Sequence, residues 1–257
     1  MIDLYRDRPD LYDLLHDDET ADLAFYANFA AATVPPGGAI LELGCGSGRI
    51  MEALLQRGYY VTGVDEEEVM LARARGRLAR FGTRATLVAG DMRRLDLGET
   101  RFDLVVVAVN TFMHLRDHAE QRACLGGIRA HLAPGASAII DVTNPFHVLA
   151  LPQGTMTLRK QAYDAETGDA IVVTGSLEVD PTAPHVVDHL TFDRWGDDGV
   201  VRRLTSTVEL RLLFMPELEL LLTMSGLGIS DAYGDYDLGP YQPGAERMIA
   251  IVGTYSE

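Results

Sequence analysis

Cysteine is nearly absent from this chain, whose 257 residues include only Cys45 and Cys124. Two cysteines cannot form the disulfide framework of a small secreted domain, and their scarcity favours a reducing compartment. The chain also lacks an apolar run near the roughly 20 residues that a membrane helix requires. Residues 1–10 are acidic and mixed, whereas a signal peptide is basic and then apolar. These absences predict a soluble, cytoplasmic protein that has no membrane partner.

Basic residues are also scarce. The sequence has 22 Lys and Arg against 38 Asp and Glu, which gives a net charge of −16. Such a surface repels a phosphate backbone and releases no counterions from it, so we expect no nucleic-acid partner. The length and the 47% hydrophobic content suit one principal domain with a smaller appendage.

The first half of the chain alternates short apolar runs with longer helical patterns. Continuous apolar strands separated by helices are typical of a parallel sheet that is covered on both faces. We therefore predict a doubly wound α/β fold. Its strands are predicted at 39–43, 60–64, 85–89, 104–109 and 137–142, and its helices at 20–32, 47–56, 66–80 and 117–132.

The second half of the chain has a different pattern of polar and apolar residues. From about Leu158, polar and apolar residues alternate between turn signals, which indicates an antiparallel meander inserted into the fold. A further helix and two late strands would bring the main sheet to seven strands. The predicted segments are an N-terminal helical lid at 1–34, a core at 35–150, an antiparallel insertion or cap at 151–212, and a completion of the core sheet at 213–257.

A glycine-rich loop leaves the first strand and enters a helix, with Gly44, Gly46 and Gly48 in the spacing G-x-G-x-G. Glycines there allow a ligand close to the backbone at a helix N-terminus. The dinucleotide fingerprint G-x-G-x-x-G would need a small residue where Arg49 stands, which argues against a dehydrogenase.

Two carboxylates accompany this loop. Asp65 closes the second predicted strand and Asp91 follows the third. Carboxylates at neighbouring strand ends beside a glycine loop indicate a nucleoside site, in which Asp65 can accept hydrogen bonds from both ribose hydroxyls.

At this point the sequence resembles the class I S-adenosylmethionine-dependent methyltransferases, which have a Rossmann-like fold. The resemblance lies in LELGCGSGRI, VTGVDEEEVMLARAR, GDMRRLDL, FDLVVVAVNTFMHL, HLAPGASAIIDV and ELELLLTMSGL. It implies S-adenosyl-L-methionine as cofactor, with the glycines against the methionine portion, Asp65 on the ribose, Asp91 and Met92 around the adenine, and Asn110 near the methionyl amine. The predicted cofactor-binding set is Glu42, Gly44, Cys45, Gly46, Gly48, Asp65, Asp91, Met92, Asn110, Tyr12 and Tyr26.

The methyl acceptor is predicted to be a small molecule, because the motifs typical of DNA, glutamine and arginine methylation are missing. The layout resembles small-molecule N-methyltransferases that act on amines, including amino sugars, and suggests secondary metabolism. O-methylation is the main alternative. A nicotinamide-dependent oxidoreductase, which would need a hydride-handling pair although the only lysine is Lys160, and a non-catalytic cofactor-binding protein also stay open. A homo-oligomer is compatible with the sequence.

Candidate acceptor residues follow the later strands. His114 is the first candidate for a proton-accepting group, because an amine must be neutral when it attacks. Tyr5, Tyr12 and Tyr26 are predicted to form an aromatic lid facing the sulfonium. Asp141 and Asn144 are too few oxygen ligands for a metal, so none is predicted. The predicted substrate-binding set is Tyr5, Phe112, Asn144, Phe146, His147, Tyr233 and Tyr236.

Overall fold

The structure is a computed structural model that describes residues 1–164, 167–180 and 182–254. Its helices are α1 (Pro9–His16), α2 (Ala21–Thr33), α3 (Arg49–Gln56), α4 (Glu68–Leu78), α5 (His118–His131), α6 (Pro145–Ala150) and α7 (Met215–Met224). Short 3-10 helices cover Ala79–Arg84, Met92–Arg94 and Thr111–His114. Its strands are β1 (Ala39–Leu43), β2 (Tyr60–Asp65), β3 (Ala85–Ala89), β4 (Phe102–Val107), β5 (Leu132–Thr143), β6 (Thr157–Tyr163), β7 (Ala170–Val179), β8 (His185–Trp195), β9 (Arg202–Arg211), β10 (Leu227–Tyr233) and β11 (Arg247–Thr254).

The described chain forms two units. The smaller combines Met1–Asp18 with Leu149–Leu212, and the larger combines Glu19–Val148 with the chain from Leu213 onward. The predicted N-terminal segment 1–34 therefore contributes to both units. Among the residues described, none of the helices combines the length and the apolar composition that a membrane span requires.

The larger unit is built on a seven-stranded sheet in the order β10-β11-β5-β4-β1-β2-β3. The pairs from β5 to β3 are parallel, and β11 pairs antiparallel with both β5 and β10. This arrangement confirms the predicted doubly wound, mostly parallel fold. The chain turns from β1 towards β2 on one side and from β4 towards β5 on the other. The carboxyl ends of β1 and β4 therefore border the switch point where ligands bind in such sheets.

The central strands are apolar along their length because helices cover both faces of the sheet. Ile40, Leu41 and Leu43 of β1 have no exposed surface. Helix α3 adds Met51 and Leu54, which are equally buried and stand three residues apart on one helical face. This packing holds the segment between β1 and α3 firmly at both ends.

The smaller unit is a four-stranded antiparallel meander in the order β6-β7-β8-β9, which confirms the predicted antiparallel insertion. Helix α1 contributes Leu11 to a hydrophobic cluster with residues of the meander. Ile2 forms a bridge to Ser206 on β9. The meander thus holds Met1–Asp18, which is why the first residues belong to this unit. The buried members of the cluster are Leu4, Leu11, Ile171, Val173, Leu190 and Phe192.

Candidate functional site

The glycine loop lies where the sequence predicts it, between the end of β1 and the start of α3. Gly44, Gly46 and Gly48 have φ values of 66°, 53° and 81°, a region that residues with a Cβ rarely adopt. A Cβ on Gly44 would also overlap the side chain of Thr111. The loop at the end of β1 therefore adjoins the turn that follows β4.

Asp65 links this loop to the end of β2. Its Oδ2 accepts a hydrogen bond from the backbone N–H of Gly46 at 2.8 Å, and its Oδ1 accepts one from Glu67 at 2.9 Å. Burial raises the pKa of Asp65, and these two N–H groups oppose the rise. Each carboxylate oxygen keeps further acceptor capacity, so the group can still receive ribose hydroxyls.

Asp91 lies at the end of β3 and is held by Arg93, which the sequence analysis missed. The backbone N–H and Nε of Arg93 both donate to Oδ1 of Asp91 at 2.8 Å. Arg93 also pairs with Glu120 at 2.7 Å and with Glu66 at 3.6 Å. The hydrogen bond from Arg93 is the main reason why the pKa of Asp91 is lowered. Arg93 thus connects the tips of β2 and β3 to α5, and the half-buried Met92 lies between Asp91 and Arg93.

Glu42 lies near the end of β1 with 3% of its surface exposed. Its Oε2 is buried without a hydrogen-bond partner among the described residues. Burial raises the pKa of Glu42 to about 8, although the nearby Arg49 acts in the opposite direction. The neighbouring Cys45 is buried too, which raises the pKa of its thiol and keeps the sulfur neutral. A ligand that brings positive charge to this oxygen would lower the pKa of Glu42 again and favour its carboxylate form.

Asn110 occupies a strained turn after β4. Val109 and Asn110 have φ values of 38° and 68°, which is unusual for two successive residues that are not glycine. The backbone N–H of Asn110 donates to the carbonyl of Asp141 at 3.0 Å. The backbone N–H and Oγ1 of Thr143 lie 2.7 Å and 3.0 Å from Oδ1 of Asn110. Thr143, which was not predicted, fixes this side chain.

Four side chains form the Asp141 cluster, which consists of Asp141, Tyr26, Tyr236 and Arg247. Arg247 donates to Oδ1 of Asp141 from Nε at 2.9 Å and from Nη2 at 2.5 Å. The hydroxyls of Tyr236, at 2.9 Å, and of Tyr26 both donate to Oδ2. Desolvation and the charge of Asp141 raise the pKa of both phenols, so they stay protonated. Burial disfavours the charge on Arg247, but the attraction of Asp141 outweighs this effect, so the pKa of Arg247 is raised.

Three predicted contact residues are instead part of the protein interior. Tyr26 has no exposed surface and uses its hydroxyl on Asp141. Phe112 is equally buried, so its ring is a core group and not a pocket wall. Asn144 is also buried, and its Nδ2 donates to the carbonyls of Gln242 at 3.1 Å and of Ala245 at 2.9 Å. Periodicity could not separate these positions from ligand contacts, because the same residue types serve both purposes.

His114 is exposed at the end of the short helix Thr111–His114. The surrounding protein disfavours its imidazolium and Arg116 repels the charge, so the pKa of His114 is lowered. A neutral imidazole can accept a proton.

Other candidate side chains keep accessible surface in the larger unit. Phe146 is 46% exposed and makes an edge contact with Phe214, with the ring centroids 5.5 Å apart. His147, which follows it on α6, is half-buried. The half-buried Tyr233 donates its hydroxyl to Asp231 at 2.6 Å. These positions can still contact a ligand.

The two remaining tyrosines of the predicted site, Tyr5 and Tyr12, belong to the smaller unit. The rings of Tyr5 and Tyr12 lie 5.5 Å apart, and Tyr12 also contacts His16 at 4.7 Å. Their role as a lid stays a prediction.

Known proteins resemble this chain along most of its length. A family profile described as a methyltransferase domain matches residues 40–135. The chain is 28% identical over 224 residues to the cypemycin N-terminal methyltransferase of Streptomyces sp, with 84% of this chain and 83% of that protein covered. It is 30% identical over 139 residues to the dTDP-3-amino-3,4,6-trideoxy-alpha-D-glucopyranose N,N-dimethyltransferase of Streptomyces venezuelae, with 52% and 56% covered. The solved structure of the CcbJ methyltransferase from Streptomyces caelestis is similar with a TM-score of 0.78 and 26% identity, and 92% and 90% of the two chains are covered.

Proposed function

This chain belongs to the S-adenosylmethionine-dependent methyltransferases, and we propose that it methylates a nitrogen atom of a small molecule. The observation that carries the proposal is the meeting of three groups at one sheet edge. These are the glycine loop, the Asp65 carboxylate that accepts a hydrogen bond from Gly46, and the Glu42 oxygen that has no donor among the residues described. A nucleoside that carries a sulfonium and an ammonium meets the needs of all three, because it offers hydroxyl donors and positive charge.

The residues present fit the cofactor. In our proposal Gly44, Gly46 and Gly48 hold its methionine portion, Asp65 receives the ribose hydroxyls and Asp91 borders the adenine. When bound, S-adenosylmethionine supplies a methyl group on a sulfonium, which is open to direct displacement. The protein contributes mainly alignment, because holding the two reactants in the reactive geometry can lower such a barrier by about 7 to 11 kcal/mol.

Nitrogen is the proposed acceptor atom for two reasons. The two curated relatives described above are named as methyltransferases of an N-terminus and of an amino sugar. In addition, an amine exists largely as an ammonium near neutral pH and must lose a proton before it attacks. His114, whose lowered pKa keeps its ring neutral, is proposed to accept that proton at one ring nitrogen.

The remaining predicted groups complete the proposal. Phe146, His147, Tyr233 and Tyr236 are proposed acceptor contacts. We further propose a role in secondary metabolism, a cytoplasmic location and assembly into a homo-oligomer.

A matched pair of acceptors tests the choice of nitrogen. We would offer the enzyme amino sugars and simple amines beside analogues in which a hydroxyl replaces the amino group, and identify methylated products by mass spectrometry. N-methylated product from the amine alone is the expected result. Turnover of the hydroxyl analogue alone would establish the O-methyltransferase alternative and refute our proposal.

Calorimetry tests the cofactor independently of the acceptor. S-adenosylhomocysteine should bind with 1:1 stoichiometry, whereas NAD should give no heat of binding. If the protein binds S-adenosylhomocysteine yet methylates none of a broad panel of amines and alcohols, the non-catalytic alternative gains over ours. Among the variants, His114→Asn should lower turnover mainly at the acidic side of the pH profile, where most of the amine is protonated.

A further inference from the structure

The orientation of the Asn110 side chain follows from its hydrogen bonds. A backbone N–H can only donate, so the group 2.7 Å from the N–H of Thr143 must be the amide oxygen of Asn110. The same oxygen lies 3.0 Å from Oγ1 of Thr143. Two donors use both lone pairs of a carbonyl oxygen. The side chain of Asn110 can therefore offer a ligand only its N–H2 group.

Arg247 fixes the direction of the second of these hydrogen bonds. Its Nη1 lies 3.0 Å from Oγ1 of Thr143, and a guanidinium has no acceptor. Thr143 must accept from Arg247, and its single hydroxyl hydrogen is then free to point to Asn110. Arg247 is itself held by Asp141. The hydrogen bonds thus run in one direction, from Arg247 through Thr143 to Asn110.

The turn that carries Asn110 adjoins the glycine loop. Thr111, the next residue, fills the space where Gly44 would carry a Cβ. This is the part of the loop that we propose to hold the methionine portion of the cofactor. In that portion the ammonium and the sulfonium are cations, and the carboxylate is the group that accepts a hydrogen bond from N–H2.

We propose that Asp141, Arg247 and Thr143 are positioning residues that lock Asn110 as a donor to the methionyl carboxylate of the cofactor. The inference rests on the proposed cofactor site, but it reverses the contact with the methionyl amine that family resemblance implies. It also gives the Asp141 cluster a purpose beyond packing, because that cluster holds Arg247 in place.

The variant Asn110→Asp distinguishes a contact with the methionyl carboxylate from one with the methionyl amine, because the two contacts predict opposite changes in affinity. Asn110→Asp replaces the N–H2 group by an oxygen of similar size and leaves the other oxygen for Thr143. If Asn110 faces the carboxylate, the variant should bind S-adenosylhomocysteine about tenfold or more weakly, because a charge-assisted hydrogen bond becomes a repulsion. The decarboxylated analogue of S-adenosylhomocysteine, which keeps the amine, should bind to the variant as well as to the wild type or more tightly. Tighter binding of S-adenosylhomocysteine by Asn110→Asp would overturn the proposal.

The positioning role is tested through Thr143. Thr143→Val keeps the branched shape but removes the hydroxyl, and it should weaken S-adenosylhomocysteine about fivefold while changing the decarboxylated analogue less than about twofold. Thr143→Ser, which keeps the hydroxyl, should restore the wild-type ratio of the two affinities. Equal weakening of both ligands, or no change in either, would refute the positioning role, and thermal melting would show that the variants are folded.

A third ligand separates this proposal from the cofactor assignment. Methylthioadenosine lacks the whole amino-acid portion, so its affinity should be the same in the wild type and in the Asn110 and Thr143 variants. If the wild type binds neither methylthioadenosine nor S-adenosylhomocysteine, the proposed function itself fails. If it binds both and the variants do not discriminate, only the inference about Asn110 fails.

Discussion

Arg49, directly after the glycine loop, forms a two-point ion pair with Asp22 on α2. Nη1 of Arg49 donates to Oδ1 of Asp22 at 3.0 Å and Nη2 donates to Oδ2. Both side chains are almost fully buried. The same arginine also donates to the carbonyl of Glu19 at 3.0 Å. The pair therefore fastens the start of α2 to the N-terminus of α3.

Removal of Asp22 should destabilise the protein strongly. Asp22→Ala leaves the Arg49 charge in a poorly solvated position, and breaking one side of a buried pair costs about 3 to 5 kcal/mol. Urea unfolding followed by circular dichroism measures the loss. Glu52→Ala, which removes the partner of the more exposed Arg80, is the matched control and should cost less than about 1 kcal/mol. Similar losses in the two variants would contradict this view of the Asp22 pair.

The buried Glu42 should make stability depend on pH. Its pKa rises from an ordinary 4.5 to about 8 in the folded protein, so between these values the folded state binds more protons than the unfolded state. The free energy of unfolding contributed by Glu42 therefore falls as the pH rises from about 4.5 to 8. On going from pH 5 to pH 9, the free energy of unfolding of Glu42→Gln should rise by about 3 to 5 kcal/mol relative to that of the wild type.

Denaturant unfolding at both pH values measures this difference, and Glu99→Gln, at an exposed position, is the control. A constant difference between wild type and Glu42→Gln across the pH range would mean that Glu42 titrates normally.

Asp65 should contribute to cofactor affinity. Asp65→Ala removes the acceptor for the ribose hydroxyls and also frees the N–H of Gly46, so S-adenosylmethionine should bind about 1 to 3 kcal/mol more weakly. Isothermal titration calorimetry measures the dissociation constant. Asp96→Ala, at an exposed loop position, should leave it unchanged. An unaltered constant in the Asp65 variant would remove this residue from the site.

Phe112 should matter for stability and not for acceptor recognition. Its ring is fully buried, so Phe112→Ala creates a cavity and should cost about 3 to 5 kcal/mol of unfolding free energy. Phe146→Ala, at an exposed ring, should cost far less and should raise KM for the acceptor. Thermal melts and steady-state kinetics on both variants test the pair. If the Phe112→Ala variant were as stable as the wild type, the assignment of Phe112 to the core would be wrong.

The predicted strands and helices of the larger unit agree with the structure to within a few residues because their signals are local. The main difference is β5, which begins at Leu132 instead of residue 137 and absorbs the turn at Pro134 and Gly135. Pairing between Phe102 and Leu132 extends the strand there. Such a register irregularity depends on the neighbouring strand, which a single segment of sequence does not reveal.

For the candidate site, sequence reasoning found the residues that a motif marks and missed those that only partners define. The glycine loop, Asp65 and Asp91 belong to strand ends and could be named in advance. Thr143 and Arg247 lie outside the quoted segments, and Arg93 lies within GDMRRLDL without a role that the segment itself reveals. Their roles follow from hydrogen bonds to residues that are distant in sequence, such as Arg247 to Asp141.

By itself, the order of apolar runs and glycines determined the parallel sheet, the inserted meander and the loop that identifies the family, because backbone geometry restricts which residues can form them. Only the tertiary structure decided which polar side chains remain available to a ligand. Tyr26 and Asn144 form their hydrogen bonds inside the protein, whereas Glu42 keeps an oxygen that has no donor in the described part of the chain. The physical reason is that burial and hydrogen-bond saturation depend on neighbours brought together by folding, and the residue type does not specify those neighbours.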